Sequence, residues 1–311
     1  MSSFCNEKIN VAFFGSSDFS ISTLKFLLND EDIDIKNIIT LPPAEKNRGK
    51  KMSNNVVYDF AINNGFSPDK IMTPKTLRNN YDLLYTLKQQ NLDFIVVVAY
   101  GKIITKEIIY LPKFEILNLH PSSLPKYRGA APIERAIEAG ESDIDICIMK
   151  VDVGLDTGDI ALRRRYVFGK DKTARDIIPD IANIGGKLML DTIKKCKKNE
   201  IKFTKQNGEY TYANKIDKSE LLIDLSNKDT DAEYVFNKIR AFNNCGCCYF
   251  VFNNQRIKII SCDMEKCSNS VYGFDRKSGF IFFKNGIIKP ILVQKEGKKP
   301  MQLKDYLNGL K

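Results

Sequence analysis

Hydrophobic positions in the first 200 residues alternate between two periods. Asn10-Val11-Ala12-Phe13-Phe14-Gly15 is a short apolar run closed by glycine, and residues 20–28 follow with helical spacing. A second strand is expected at 33–40 and helices at 56–64 and 81–90. The last helix leads into Asp93-Phe94-Ile95-Val96-Val97-Val98-Ala99-Tyr100. That run is β-branched and apolar on both faces, as befits a central parallel strand covered from both sides. A strand at 116–120, a helix at 132–139, a strand at 144–150 and a long helix near 173–197 continue the pattern. Pro179 falls inside the long helix and predicts a kink or a late start. Repeated β–α units over residues 1–200 predict an α/β fold, a parallel sheet covered by helices on both sides.

Beyond Glu200 the texture changes. Residues 201–215 read as an extended polar linker, 232–242 as one helix, and the remainder as β-rich. Gly279-Phe280-Ile281-Phe282-Phe283, a turn at Lys284-Asn285-Gly286, and an apolar run over 287–293 predict a hairpin with an Asn-Gly turn. Several short strands within residues 216–311 suggest a small OB-like β-barrel, an architecture often used to bind nucleic acid.

The composition is that of an ordinary globular protein, 43% hydrophobic and 28% charged over 311 residues. No apolar run reaches the roughly 20 residues that a membrane helix needs. The N-terminus has no apolar signal region before the strand-like run at Ile9, so the cytoplasm is expected. The net charge is +10, of which residues 201–311 carry +7, from 19 Lys/Arg against 12 Asp/Glu. Such a concentration suits a polyanionic partner, although a solvated basic surface gives the same count. In a reducing compartment the eight cysteines are expected to be thiols. Cys245, Cys247 and Cys248 lack paired C-x2-C arms and a nearby histidine, so no metal is expected.

The candidate chemistry centres on His120, the one histidine of the chain. It ends the strand-like run Glu115-Ile116-Leu117-Asn118-Leu119-His120, which is stopped by Pro121. Residues two apart on a strand share a face, so Asn118 lies beside His120 at the carboxyl end of a strand. Open α/β sheets place their sites there. Asp152-Val153-Gly154-Leu155-Asp156-Thr157-Gly158-Asp159 is a glycine-punctuated acidic loop whose spacing misses a calcium site. It is either a structural turn or the carboxylate partner of the imidazole. Gly15-Ser16-Ser17-Asp18-Phe19 lacks the G-x-G-x-x-G of nicotinamide enzymes and reads as a helix cap. Arg128-Gly129-Ala130-Ala131-Pro132 combines small residues with a proline in the first turn of a helix, which lets a substrate approach the backbone. The segment 42–52 is a long loop carrying Lys46, Arg48, Lys50 and Lys51, suited to phosphates or simply solvated.

These pieces together resemble the methionyl-tRNA formyltransferases, among the folate-dependent formyltransferases. The resemblance is carried by Val97-Val98-Ala99-Tyr100-Gly101-Lys102-Ile103-Ile104, Asn118-Leu119-His120-Pro121-Ser122, Arg128-Gly129-Ala130-Ala131-Pro132-Ile133 and the 152–159 loop. It continues through Tyr212-Ala213, Ile239-Arg240-Ala241-Phe242-Asn243 and Gly297-Lys298-Lys299-Pro300-Met301. It implies a Rossmann-like doubly wound catalytic domain over 1–200 and an OB-like C-domain over 216–311, which transfer formyl from 10-formyltetrahydrofolate to initiator methionyl-tRNA with no metal; a monomer is expected. Asn118, His120 and Asp156 match the catalytic positions. Ser122, Ser123, Leu124 and Pro125 match a folate segment, with Ser123 in place of leucine. Tyr100, Gly101, Lys102, Ile103, Ile104, Asp152, Val153, Gly154 and Leu155 match backbone segments flanking the pterin. Arg48, Lys50, Lys51 and Lys215 match basic positions expected to meet tRNA. Where the family usually has Asn-Pro-Trp-Pro-Gly, this chain has Asn243-Asn244-Cys245-Gly246-Cys247. An aminosugar N-formyltransferase and a non-catalytic tRNA-binding relative are the alternatives. The basic 48–51 loop speaks against the first and the intact Asn118, His120 and Asp156 set against the second.

Overall fold

The computed structural model describes residues 7–46, 51–268 and 271–310. The chain forms two compact units. One holds residues up to Ala130, Asp145–Tyr166 and Ile178–Tyr212; the other holds Ala131–Ile144, Val167–Ile177 and residues from Ala213 onward.

The first unit is built on a seven-stranded sheet. In chain order its elements begin with β1 (Ile9–Gly15), α1 (Asp18–Leu28), β2 (Ile33–Ile39), α2 (Val56–Asn63) and β3 (Ile71–Met72). They continue with α3 (Tyr81–Lys88), β4 (Phe94–Val98), α4 (Lys106–Ile109) and β5 (Glu115–His120). After α5 (Pro132–Glu138) come β6 (Asp143–Lys150), β7 (Ile160–Val167) and α6 (Ala174–Lys197). The strand order is β7-β6-β5-β4-β1-β2-β3. β1 pairs in parallel with β2 and β4, and β4 with β5. β6 runs antiparallel to β5, so the sheet is mixed rather than wholly parallel. Hydrophobic period identifies a strand but carries no information on its direction.

Alternation along the strands sorts side chains to two faces. Ala12, Phe14, Ile95, Val97 and Ile116 join Leu83 and Leu87 of α3 and Ile108 of α4 in one cluster. On the opposite face Leu119 meets α6, where a Cβ at Gly185 would lie 2.7 Å from its methyls. Helices end where side chains take over backbone donors: the Asn55 carboxamide accepts from Val57 N–H, and Asn80 from Leu83 N–H. Caps of this kind typically contribute about 1 kcal/mol each. The long helix α6 begins at Ala174 and runs through Pro179. The late start does not occur: the helix continues through Pro179, its sixth residue.

The second unit contains α5, α7 (Ala232–Phe242) and an antiparallel sheet. Asp231 caps α7 through Glu233 N–H and Tyr234 N–H, and Ala232, Val235, Ile239 and Phe242 form its buried stripe. The strands are β8 (Tyr249–Phe252), β9 (Gln255–Lys266), β10 (Gly273–Phe274), β11 (Ile281–Phe283), β12 (Gly286–Lys295) and β13 (Met301–Gln302), followed by α8 (Leu303–Asn308). Their order is β8-β9-β12-β11-β10, with β13 on β12. The expected hairpin into β12 forms, but its turn is Lys284-Asn285, with Asn285 at φ 62° and Gly286 already paired with Phe283 as the first residue of the strand. Register shifts at Ser261 let β9 and β12 bend, and the sheet curls. The expected barrel is therefore a curled half-barrel. Its two end strands meet through side chains: the Phe274 ring of β10 lies 5.0 Å from Phe250 and 4.8 Å from Phe252 of β8.

Candidate active site

Strand order in the first unit reverses between β1 and β4, and the crevice at such a switch point is where open α/β sheets bind ligands. Three sequence segments converge on this edge. Ser16, just after β1, donates its hydroxyl to the carbonyls of Ala99 (2.9 Å) and Tyr100 (2.8 Å), just after β4. Ser20 donates to Val98 O at 2.8 Å. The serine-rich turn read as a helix cap thus also staples the β4 exit. Next along the edge is the end of β5, with Asn118 and His120 on one face.

His120 is 4% exposed. Its Nε2 lies 3.0 Å from the carbonyl oxygen of Tyr127, and its Nδ1 faces Asp156 Oδ2 at 3.6 Å. The second distance is too long for a hydrogen bond but leaves the two groups in direct electrostatic contact. Asp156 Oδ2 also accepts the Gly129 N–H at 2.8 Å. Tyr127 and Gly129 therefore bracket the pair through backbone atoms. Both have positive φ, 61° and 121°. Neither backbone contact was legible as a motif, because a backbone donor or acceptor leaves no residue-type signature. The Arg128-Gly129-Ala130 stretch was singled out for its small residues, and Gly129 serves the site through its N–H. The Asn118 carboxamide is half-buried and has no side-chain partner among the described residues.

The segments expected to flank a pterin occupy one neighbourhood. Ile104, at one end of 100–104, and Val151, just before 152–155, pack against the same core cluster. Between these anchors Ile103, Val153 and Leu155 are exposed, at 89%, 60% and 58%. Tyr100 itself turns inward. Its ring meets Phe14 edge-on at 5.3 Å, and burial pushes its phenol up to about 12. Lys102 Nζ donates to the carbonyls of Pro74 and Lys75, at 2.7 and 2.8 Å, and Gly101 has φ 81°. Asp152 Oδ1 accepts from Gly154 N–H and the Thr157 hydroxyl, shaping the acidic loop.

In the 122–125 segment Ser123 Oγ accepts the Asp145 N–H at 3.1 Å, so the serine that departs from the family pattern ties β6 to this segment. Ser122 and Leu124 are buried, and Leu124 O accepts from Arg163 Nη2 at 2.7 Å. Of the basic candidates, Arg48 and Lys50 lie outside the described residues, as does the side chain of Lys51, and Lys215 is exposed. Burial pushes the Cys248 thiol up to about 12, which keeps it protonated and weakly nucleophilic. Among the described residues no group of three metal-ligating side chains comes together. A cavity of about 310 Å3, lined by Leu28, Ile33, Phe66 and Lys70, opens at the amino-terminal end of β2, away from His120.

Comparison with known proteins shows the family to which the chain is related. Residues 8–193 match the formyl transferase family, and residues 215–311 match the formyl transferase C-terminal domain. The chain is 33% identical over 310 residues to a methionyl-tRNA formyltransferase of Sulfurihydrogenibium sp., covering 97% of each. It is 35% identical over 306 residues to that of Caldanaerobacter subterraneus subsp. tengcongensis, again covering 97% of each. Among solved structures it resembles the methionyl-tRNA formyltransferase from Clostridium thermocellum, with a TM-score of 0.57, 22% identity and coverage of 83% and 94%. It also resembles an N-formyltransferase from Helicobacter canadensis, in complex with folinic acid and dTDP-3-aminofucose, with a TM-score of 0.66, 21% identity and coverage of 91% and 99%. At these identities the structural matches speak for the fold.

Proposed function

The chain belongs to the formyl transferase family, and from that premise we propose that it transfers the formyl group of 10-formyltetrahydrofolate to the α-amine of methionyl initiator tRNA. The observation that carries the reading is the pairing of His120 with Asp156 at the carboxyl end of β5, within a chain related along its whole length to methionyl-tRNA formyltransferases. In this reading residues 1–200 do the chemistry, 201–215 link, and 216–311 help to hold tRNA in an enzyme that works as a cytoplasmic monomer. No helix among the described residues is long and apolar enough to cross a membrane.

The folate supplies a formyl group activated on nitrogen, and exposed Ile103, Val153 and Leu155 suit its flat ring. A free α-amine titrates near pH 8, and an ester lowers that further, so a neutral nucleophile is available without a strong base. The work left to the protein is to stabilise negative charge on the formyl oxygen and to move one proton from the amine to the leaving nitrogen. Asn118, fixed on a strand, donates to that oxygen. His120 acts at Nδ1 as the acid, and Asp156 orients the ring and accepts the amine proton directly or through water.

The test is formyl transfer from 10-formyltetrahydrofolate to charged initiator tRNA, run beside nucleotide-linked aminosugars. Formylated methionyl-tRNA is expected. Transfer to an aminosugar and not to tRNA would replace the acceptor in this reading.

A further inference from the structure

The segment that follows α6 carries no regular structure over most of its length, and most side chains of residues 204–210 are exposed. Gln206 is the exception, half-buried among them. Its carboxamide Nε2 donates to the carbonyls of Asp156 (2.9 Å) and Gly158 (2.8 Å). Its Oε1 accepts from Arg128 Nε (3.1 Å) and Nη2 (2.7 Å). Two donors and two lone pairs are all that this side chain has, and all four are engaged. From these contacts we propose that Gln206 is a positioning residue for Asp156, holding the loop that carries its carboxylate against the 127–129 segment.

Asp156 sits at the tip of its loop with φ 52°, a left-handed conformation unfavourable for a residue with a Cβ. The base of the loop is fixed separately. Lys150 N–H donates to Asp159 O, and a Cβ at Gly158 would meet Lys150 O at 2.1 Å. At the tip, the Asp156 side chain is held by Gly129 N–H and its main chain by Gln206. Gln206 is itself aimed by its neighbours. Thr204 exchanges both backbone hydrogen bonds with Ile160, at 2.8 and 2.9 Å, and Thr211 accepts from the N–H groups of Tyr127 and Arg128. The position calls for an amide. Glutamate could accept from Arg128 but not donate to two carbonyls, and lysine could donate but not accept. Through Arg128, Gln206 also ties Asp156 to the chain whose Tyr127 carbonyl meets His120. Gln206 thus adds to the Gly129 N–H a second tie between the loop of Asp156 and the 127–129 segment.

The inference rests on the catalytic role proposed for Asp156, and a double-mutant cycle separates the two. Steady-state formyl transfer to charged initiator tRNA is measured for Gln206→Leu, Gln206→Glu, Asp156→Asn and both doubles, with thermal melts of each. Displacing a catalytic group by about 1 Å costs on the order of 100-fold, so each Gln206 variant should lose about that in kcat with KM for the folate little changed. Combined with Asp156→Asn, either change should cost little more. Gln206→Glu keeps its partners on Arg128 and carries the test if Gln206→Leu melts below the assay temperature. Full kcat in Gln206→Glu, or a loss that repeats in full on Asp156→Asn, overturns the inference. Full activity in Asp156→Asn instead overturns the role given to Asp156.

Discussion

The carbonyl oxygen of Tyr127 holds Nε2 of His120 at 3.0 Å, and this fixes the tautomer of the ring. A carbonyl only accepts, so Nε2 carries its proton whether the imidazole is neutral or charged. The proton that can move is therefore the one on Nδ1, the nitrogen facing Asp156. Replacing His120 with alanine should lower single-turnover formyl transfer by about 100- to 10,000-fold, the usual range for a lost general acid or base. His120→Gln places an amide toward Tyr127 and should not restore the rate. Recovery in the glutamine variant would place the chemistry at Nε2 instead.

Asn118 shares a strand face with His120 but acts differently. A donor to developing oxyanion charge contributes mainly in the transition state, so Asn118→Ala should reduce kcat by roughly 100- to 1,000-fold. KM for 10-formyltetrahydrofolate should stay near the wild-type value. Steady-state kinetics check this, and a loss confined to KM contradicts the role.

Charge at residues 48–51 should be felt by the tRNA alone. Removing Arg48, Lys50 or Lys51 should raise KM for charged tRNA and flatten its dependence on salt, because each phosphate contact releases counterions. Arg48→Ala should cost more than Lys50→Ala, since a guanidinium offers a planar fork and an ammonium does not. KM at two ionic strengths for each variant reads this out. Unchanged slopes would mean that the loop is only solvated.

Glu134 of α5 gives a prediction about stability. Burial pushes its carboxyl up, with the Cys245 thiol 3.8 Å away as a weak donor. A carboxyl with a raised folded-state pKa binds its proton more tightly folded than unfolded, so stability falls as pH rises from the ordinary glutamate range through the folded value. Glu134→Gln should therefore raise the melting temperature at pH 7.5 and leave it nearly unchanged near pH 4. Melts of both proteins at the two pH values check this; an equal shift at both would assign the effect to packing.

Much of this molecule was legible in its residues, for identifiable reasons. The run 94–98 declares a buried central strand because nothing polar interrupts it, and Asn285 marks a hairpin because asparagine tolerates the positive φ its turn needs. The turn between β8 and β9 uses Asn253 and Asn254 at φ 49° and 58°. Two asparagines are a weaker signal than Asn-Gly, and that hairpin went unread. Asn118 and His120 stand out by type and spacing, whereas Asp156 is distinguished from Asp152 and Asp159 of the same loop only by the family resemblance. The contacts made by Tyr127, Gly129 and Gln206 did not, because they depend on where backbone atoms and one amide in an apparently featureless stretch come to rest.

The rings of Phe250, Phe252 and Phe274 join the two ends of the curled sheet without a single ladder rung between them. Aromatic pairs prefer offset or edge-on arrangements, so these rings hold the two rims in a defined approach while every strand keeps its own ladder partners. The edge of β8 is also covered in part, since Ile223 N–H donates to Tyr249 O at 2.8 Å. Three phenyl groups thus close the curl of the sheet where its strands do not pair.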